Sequence, residues 1–222
     1  MGKLERISLK DRLAGELRRK ILSGELRPHA RIIEQELSDE YGVSRAVVRE
    51  SMLILELQGL IVSTPYKGSE VASISRSEVE HLLLPIRVQI EQFALTEGFS
   101  LFDAETFEAF DRALAEMERA VLNKDSEAFN EADMRFHAVL VDTCPADSVR
   151  GIWDSIHQRT RMHFALQTGR TGATTQFLED HKHLARVFRS GDLDASLKAI
   201  EEHIIGTNQP YLDLLDDAAD TA

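Results

Sequence analysis

The stretch EQELSDEYGVSRAVVRESMLILELQGL, residues 34–60, constrains the fold of this chain more than any other part of its sequence. A short amphipathic helix runs up to Gly42, a residue that can adopt the left-handed conformation of a tight turn. Ser44 is a good N-cap for a second helix, in which apolar residues recur at helical spacing until Gly59. Two helices joined by a tight glycine turn form a helix-turn-helix, which is therefore the first structural prediction.

The segments on either side extend this motif. SLKDRLAGELRRKILSG, residues 8–24, has the leucine and isoleucine spacing of an amphipathic helix, and Gly24 can end it. LIVSTPYKGSEVAS, residues 60–73, contains two short β-prone runs around Pro65 and Gly68, which is the pattern of a small hairpin. A helix-turn-helix with such a hairpin appended is a winged helix-turn-helix.

The second helix of a helix-turn-helix enters the major groove of DNA, and the residues at its N-terminus face the bases. Here these residues include Ser44, Arg45 and Arg49, and the two arginines lie four apart on one face. An arginine can pair with guanine or hold a phosphate. At the predicted wing tip, Lys67 can contact a phosphate or the minor groove, and Gly68 lets the backbone approach closely. The alternative is that the arginines are solvated surface charges, with Arg49 paired to nearby Glu50 or Glu56.

Charge divides the chain into two parts. Residues 1–75 contain 12 Lys and Arg against 11 Asp and Glu, a net charge of +1. Residues 76–222 contain 14 against 27, a net charge of −13. A near-neutral first third joined to a strongly acidic remainder is typical of two domains with different roles. We therefore expect a DNA-binding domain over residues 1–75 and a separate domain over residues 76–222.

The sequence argues against membrane insertion and disulfide bonding. The longest apolar runs are only a few residues, too short for a helix that spans a bilayer. The N-terminus has no apolar signal core, so we expect a cytoplasmic protein that has no membrane partner. Cys144 is the single cysteine, which excludes an internal disulfide.

From Ser77 onwards the apolar residues recur at helical spacing, and no segment alternates long enough to predict a strand. The breaks between helices fall at Gly98, Asn123-Lys124-Asp125, Pro145, the TGRTGATT loop and Gly191. They leave candidate helices over residues 77–98, 103–123, 125–143, 146–167, 174–190 and 192–212. The predicted fold is mainly α, with an N-terminal winged helix-turn-helix domain followed by an all-α helical-bundle effector domain.

Two polar residues interrupt an apolar helix face in EADMRFHAVL, residues 131–140. Asp133 and His137 lie four apart and point the same way, into the apolar stripe. His181 lies among apolar residues in QFLEDHKHLARVF, and His203 lies at the margin of the apolar face of its helix. One divalent metal ion would satisfy all four side chains, and these ligands suit Zn, Ni, Fe or Mn. A buried Asp–His hydrogen bond without a metal is the alternative.

The N-terminal motifs resemble those of the GntR family of bacterial transcription regulators. The shared series is I-L-x-G-x-L-x-P, G-V-S-R, V-R-E and L-x-x-x-G-L-I, followed by a wing that ends in x-x-G. The resemblance implies that Arg45, Arg49 and Gly68 touch operator DNA. The chain departs from the family at His29, where members often have Gly, and at Gln35, where many have Arg. Gln35 can still bond to a phosphate or to adenine.

The region from about residue 80 to 210 resembles the all-helical FCD effector domain of the FadR branch of this family. Its metal-binding members carry D-x-x-x-H on one helix, a His that begins the next-to-last helix, and a His about three turns into the last. Asp133, His137, His181 and His203 match these positions. The resemblance therefore implies a divalent metal site, with zinc as the first choice. Members that bind acyl-CoA lack this complete set, which disfavours that ligand here.

A six-coordinate metal held by these ligands keeps two positions open, where a small organic acid could bind through its carboxylate. Arg87, in LLLPIRVQIEQFAL, points inward on an apolar stripe, and arginine matches a carboxylate bidentately. The resemblance gives this position an effector-binding role, and an ion pair with Glu91 is the alternative. Arg159 shares a stripe with apolar residues and is a second, weaker effector candidate.

These features together predict a ligand-responsive transcription regulator that acts as a repressor. We expect a homodimer, because two-fold protein symmetry matches a palindromic double-stranded DNA operator. The small carboxylate effector would shift the dimer away from its operator-binding arrangement. An alternative is a regulator in which the metal is itself the signal or is purely structural. A metal-dependent enzyme is disfavoured, because the chain offers no clear additional general base.

Overall fold

A computed structural model of the chain describes residues 8–172, 174–209, 212 and 215, with the backbone alone over residues 166–171. The chain divides into two compact units, Met1–Ser73 and Ile74–Ala222. The first contains helices and a small sheet, whereas the described part of the second is entirely helical apart from its connections. The predicted mainly-α fold is confirmed.

The first unit combines α-helices with a three-stranded sheet. In chain order its elements are α1 (Leu9–Leu22), β1 (Arg31–Ile32), α2 (Glu34–Tyr41), α3 (Arg45–Leu57), β2 (Ile61–Thr64) and β3 (Gly68–Val71). β3 lies between β1 and β2 and is antiparallel to both. β2 and β3 form the hairpin that was predicted as the wing, whereas β1 is a strand that the sequence did not predict.

Local sequence signals explain how α2 and α3 are joined. Gly42 follows α2 with a φ of 62°, the left-handed conformation that its missing Cβ allows. Ser44 then caps α3, because its side-chain oxygen accepts a hydrogen bond from the backbone N–H of Val47 at 3.3 Å. α1 packs against α3, and Leu17 and Val48 are fully buried in the core that these helices share.

The second unit is built from helices that follow one another with short connections. They are α4 (Arg76–Glu78), a π turn (Val79–Leu83), α5 (Leu84–Gly98), a 3₁₀ turn (Phe99–Leu101), α6 (Ala104–Asn123), α7 (Ser126–Thr143), α8 (Asp147–Thr171), α9 (Thr175–Arg189) and α10 (Leu193–Asn208). None of the described helices combines the length and the apolar character that crossing a membrane requires.

The first helical segment of this unit is interrupted, although its sequence predicted one continuous helix over residues 77–98. In the π turn, the backbone N–H of Leu84 donates to the carbonyl of Val79. Pro85 follows directly, and in a regular α-helix its ring would clash with the carbonyl four residues earlier. The wider turn accommodates this proline.

A second difference concerns the TGRTGATT segment, which was predicted as a loop. α8 continues to Thr171, and α9 begins at Thr175, so the helix occupies the first half of the predicted loop. Glycine and threonine have low helix propensity, but propensity is a weak determinant when a long helix is already formed.

α7 lies at the centre of the second unit, in contact with α5, α6 and α8. Phe136 on its buried face lies 4.8 Å from Phe110 of α6 and 6.4 Å from Phe188 of α9, measured between ring centroids. All three rings are almost completely buried. Asp133 and His137 flank Phe136 on the same helix, so this packing carries both polar side chains into the interior.

Candidate functional site

The four residues predicted as metal ligands come from three helices and meet inside the second unit. α7 carries Asp133 and His137, α9 carries His181, and α10 carries His203. One ligand nitrogen from each imidazole lies within 4.8 Å of the other two. Oδ1 of Asp133 lies 2.9 Å from Nε2 of His181. His181 lies well inside α9, whereas the resemblance implied a histidine at the beginning of that helix.

Each of these side chains has a buried polar atom without a hydrogen-bond partner among the described residues. These atoms are Oδ2 of Asp133, Nε2 of His137, Nε2 of His181 and Nδ1 of His203. Buried polar groups are almost always paired, because leaving one unpaired costs on the order of 1–3 kcal/mol. One divalent cation would compensate all four atoms at once, so these residues fit a metal ion.

Hydrogen bonds hold two of the rings on the side that faces away from the centre. Nδ1 of His137 lies 2.6 Å from Oε2 of Glu91, and Nδ1 of His181 lies 2.7 Å from the carbonyl oxygen of Phe177. A carboxylate and a carbonyl only accept hydrogen bonds, so each Nδ1 carries a proton and donates it. In the neutral ring Nε2 then presents a lone pair, which is the form of imidazole that binds metals.

A metal-free Asp–His pair accounts for only part of this arrangement. A protonated His181 would pair with Asp133 across their 2.9 Å contact. That pair would still leave Nε2 of His137 and Nδ1 of His203 buried, with no partner among the described residues. If His181 is neutral, its lone pair faces a carboxylate oxygen, and this contact is repulsive unless a cation is close by.

Electrostatic interactions favour the protonation states that a metal requires. Burial and the charge of Arg87 lower the pKa of His137, and burial and the neighbouring imidazoles lower the pKa of His203 well below its usual value. Burial raises the pKa of Asp133, but the hydrogen bond and charge of His181, together with the charges of His137 and Arg87, outweigh burial and leave this pKa below its usual value. At neutral pH, His137 and His203 are therefore neutral and Asp133 is ionised, as metal binding requires.

A small cavity of about 30 Å³ adjoins Asp133, His181 and His203. The other residues that line it are Arg87, Phe129, Asn130, Phe164, Phe177, Thr207 and Asn208. A volume of this size holds one or two water molecules. In this form the cavity has room for one or two small oxygen ligands and not for a larger molecule.

Arg87 is buried and faces this cavity. Its Nε donates to Oε1 of Glu91 at 2.7 Å, so the ion pair considered as the alternative is present. Nη2 of the same guanidinium has no hydrogen-bond partner among the described residues, and the group lies 5.0 Å from the ring centroid of Phe164. One side of Arg87 therefore binds within the protein, while another nitrogen remains available to an anion.

Arg159, the second effector candidate, is not among the residues that line this cavity. Its Nε donates to Oε1 of Glu78 at 2.9 Å, and the two side chains form a partly buried ion pair. The structure thus brings Arg87 to the candidate metal centre but does not bring Arg159 there.

Four polar residues of the centre were missed by sequence reasoning. Glu91 was considered only as a partner for Arg87, yet its other oxygen contacts His137. Asn130, Thr207 and Asn208 line the cavity and were not considered. Helical spacing shows which residues share a face of one helix, but it does not show which side chains of another helix they meet. No local signal would have found these four.

The candidate DNA contacts lie in the first unit, at the N-terminus of α3. Ser44, Arg45 and Arg49 are all exposed there. Arg45 donates to the side-chain oxygen of Gln35, and Nε of Arg49 donates to Oε2 of Glu34 at 2.8 Å. Arg49 therefore pairs with a glutamate of α2. An exposed hydrogen bond to the neutral amide of Gln35 and an exposed ion pair with Glu34 each contribute little free energy, so both guanidinium groups can exchange their partners for DNA.

The wing presents a second group of exposed residues. Tyr66 is fully exposed and has a φ of 68°, which is unusual for a residue with a Cβ, and Gly68 has a φ of 92°. Lys67 lies between them, and Arg31 of β1 lines the same surface depression. The wing turn and the neighbouring strand β1 together offer two cations and an aromatic ring to solvent, a combination suited to a phosphate backbone.

His29 also has a positive φ, of 65°. A glycine adopts this conformation with little strain, whereas a residue with a Cβ is disfavoured there. The glycine that the GntR resemblance led us to expect at this position therefore has a conformational reason, and His29 occupies the same backbone conformation. Its exposed ring lies 3.4 Å from Glu70.

Two protein-family profiles match the chain in succession. The profile of bacterial regulatory proteins of the gntR family matches residues 9–71, and the profile of the FCD domain matches residues 82–206. The HTH-type transcriptional regulator YdhC of Bacillus subtilis strain 168 is 26% identical, over 85% of this chain and 84% of YdhC. The gluconate operon transcriptional repressor of Bacillus licheniformis is 24% identical, over 90% of this chain and 84% of the repressor.

A solved structure has the same fold. The transcriptional regulator GntR from Rhodococcus sp. RHA1 aligns with a TM-score of 0.78 and 22% identity, over 92% of this chain and 97% of that one. The matching profiles and relatives are those of transcription regulators and not of enzymes, which confirms the prediction that the chain is not an enzyme. The chain therefore belongs to the gntR family of bacterial regulatory proteins, and it is a DNA-binding transcription regulator with an FCD domain.

Proposed function

We propose that this regulator is a repressor whose operator binding is controlled by a small organic acid, bound with a divalent metal in the FCD domain. One observation carries the proposal. Three of the four candidate ligands, Asp133, His181 and His203, line the same cavity as Arg87, and each of these side chains has a buried polar atom without a partner among the described residues. A cation and an anion together complement these groups. The gluconate operon transcriptional repressor among the relatives supports repression, rather than activation, as the direction of control.

The metal is held by the cluster of His137, His181 and His203 and by Asp133, which contacts His181. Zinc is the first candidate, and Ni, Fe or Mn are alternatives. When bound, the cation supplies positive charge to which a carboxylate oxygen can coordinate. The protein keeps two of the imidazoles in place through hydrogen bonds on their Nδ1 atoms. The narrow cavity limits which ligands reach the centre.

The effector binds through its carboxylate to Arg87 and to the metal. Asn130, Thr207 and Asn208 make part of the cavity wall polar, so a hydroxy acid suits the site better than an aliphatic acid. The gluconate operon repressor among the relatives makes D-gluconate the first probe. Such an acid is larger than a cavity of about 30 Å³. Its binding must therefore open the site, and this opening is a change that favours one conformation over another.

We assign operator binding to residues 1–75. The proposed contacts are Gln35, Ser44, Arg45, Arg49, Lys67 and Gly68. The regulator acts in the cytoplasm as a homodimer, and its two-fold symmetry matches a palindromic operator. If the effector binds the DNA-free arrangement of the dimer more tightly, it reduces the fraction that is bound to the operator. Sedimentation of the protein with and without operator DNA tests the homodimer.

The test of control by an acid uses a gel shift with operator DNA selected from a random library. Metal-free and zinc-loaded protein are each compared with and without D-gluconate and a panel of short hydroxy acids. We expect an acid to release DNA from the zinc-loaded protein only. R87Q should lose this response, whereas R119Q, at an exposed arginine of α6, should keep it. Release by the same acid from metal-free protein would contradict the proposal.

The small size of the cavity favours one alternative, in which the metal is itself the signal. In that case removal of the metal by a chelator changes operator affinity, and no acid changes it further. The same gel shift separates the two mechanisms, because its metal-free and zinc-loaded samples then differ in the absence of any acid.

A further inference from the structure

Glu91 is a charged residue that contacts both Arg87, the proposed anion-binding residue, and His137, a proposed metal ligand. It is completely buried on α5, and its two carboxylate oxygens have different partners. Oε1 accepts from Nε of Arg87 at 2.7 Å, and Oε2 lies 2.6 Å from Nδ1 of His137. Arg87 is on the same helix and His137 is on α7, so one carboxylate joins the proposed anion-binding residue to a proposed metal ligand.

The contact to His137 determines how its ring faces the centre. A carboxylate accepts the Nδ1 proton, so Nε2 is left with the lone pair and points to the side where it has no partner among the described residues. A carboxylate in this position also makes the imidazole a stronger electron donor. Losing such a partner typically weakens metal binding by about 10–100-fold.

The contact to Arg87 acts in the opposite direction. The guanidinium of Arg87 forms an ion pair with the same carboxylate. The positive charge of Arg87 also lies beside a cavity that a cation would enter. In a buried site, repulsion between like charges is screened far less than in water. Arg87 therefore opposes the metal, while Glu91 supports it.

We propose that Glu91 is a positioning residue for the metal and that Arg87 and His137 compete for the negative charge of the Glu91 carboxylate. Changes at the two residues then shift metal affinity in opposite directions, although they form one ion pair. An anion bound to Nη2 of Arg87 compensates its charge, so effector and metal assist each other's binding. This inference rests on the proposed metal site.

The test compares zinc affinities of full-length variants by competition with a chromophoric chelator. E91Q should bind zinc about 10–100-fold more weakly than the unaltered protein. R87Q retains a donor for Oε1 but lacks the charge, and it should bind zinc more tightly. E97Q is the matched control, because Glu97 is exposed on the same helix, and it should leave the affinity unchanged. Visible spectra of the cobalt-loaded proteins should change in E91Q and stay unchanged in E97Q.

A purely structural role for the ion pair predicts a different result, since both E91Q and R87Q would then weaken zinc binding. That outcome, or an E91Q affinity equal to that of E97Q, overturns the inference but leaves the proposed metal site standing. If E91Q fails to fold, the double variant R87Q/E91Q avoids an unpaired buried arginine and should still bind zinc more weakly than R87Q. Equal affinities of the double variant and R87Q would overturn the inference. An unaltered protein that binds no zinc overturns both this inference and the proposed metal site.

Discussion

The two units of this regulator present their polar groups to ligands in opposite ways. In the first unit, Arg45 and Arg49 are exposed and already paired with side chains of α2. In the second, Asp133 and His137 are buried, and each has an atom without a partner among the described residues. An exposed pair is exchanged at little cost, whereas a buried unpaired atom is costly until a ligand compensates it.

This difference indicates what kind of ligand each unit suits. A DNA duplex is long and highly charged, and proteins bind it by replacing counterions at many phosphates. Exposed cations that change partners easily suit such a surface. A single metal ion must instead exchange its coordinated water molecules for protein lone pairs in a fixed arrangement, which a packed interior can hold in place. Ligand binding should therefore change the stability of the second unit more than that of the first.

The largest expected effect is the loss of metal binding when one buried ligand is removed. H181A should lower zinc affinity by more than about 100-fold, because a ligand matters more than a residue that only orients one. Competition with a chromophoric chelator measures the affinity. H183A is the matched control, since His183 is exposed on the same helix. Equal zinc affinities in the two variants would contradict the view that buried unpaired atoms of the second unit bind the metal.

Loss of an exposed arginine should have a smaller effect, and on DNA only. R49A should weaken specific operator binding by about 1–3 kcal/mol, because a guanidinium that reads a base or holds a phosphate is lost. Fluorescence anisotropy with labelled operator measures this affinity. R27A removes an exposed arginine of the same unit outside α3 and the wing, and it should bind normally. An unchanged affinity in R49A would mean that Arg49 only pairs with Glu34.

Burial should also make the metal-free protein sensitive to acid. Burial lowers the pKa of His163 to about 4, although its hydrogen bond to Asn208 opposes this. The unfolded chain takes up this proton near pH 6.5, so stability falls as the pH drops from 6.5 toward 4. Between pH 7.5 and 5.5 the loss from this group is about 1.4 kcal/mol.

Urea unfolding at the two pH values, with chelator present, measures this loss. Between these two pH values, the loss of stability in H163Q should be smaller than that in the unaltered protein by about 1.4 kcal/mol. H183Q, at the exposed histidine of α9, should behave like the unaltered protein. If the stability of all three proteins changes equally with pH, His163 is not held in its neutral form by burial.

The smallest expected effect lies in the backbone of the first unit. H29G should stabilise the protein by up to about 1 kcal/mol, because relief of the strained positive φ exceeds the entropy that glycine adds to the unfolded chain. A30G, at the next residue, gains no such relief and should destabilise the protein. Thermal unfolding measures both changes, and shifts of the same sign would contradict the explanation.

Much of the fold could be predicted because its signals are local. Gly42 and Ser44 indicated the turn and the cap between α2 and α3, and both act there as predicted. β1 could not be predicted, because a two-residue strand has no periodicity and depends on its partner β3. An interruption before Pro85 could have been anticipated from the proline, but its form as a π turn could not.

The candidate site was predictable to a similar extent. Helical spacing placed Asp133 and His137 on a buried face of one helix, where the structure has them. Spacing could not show that Arg49 pairs with Glu34, fifteen residues earlier, because that contact depends on how two helices cross. It also could not show the cavity, whose size follows from the packing of several helices together.

The π turn has a consequence for every residue that follows it on α5. Each residue of an α-helix advances the direction of its side chain by about 100°. A regular α-helix through the same residues would rotate by about 800° between Val79 and Arg87, and the two side chains would then point about 80° apart. The π turn takes up one extra residue, so the rotation is instead close to that of seven α-helical steps, about 700°, and the two side chains share one face. Both are buried. The extra residue in this one turn therefore sets the direction in which α5 presents Arg87 and Glu91 to the centre.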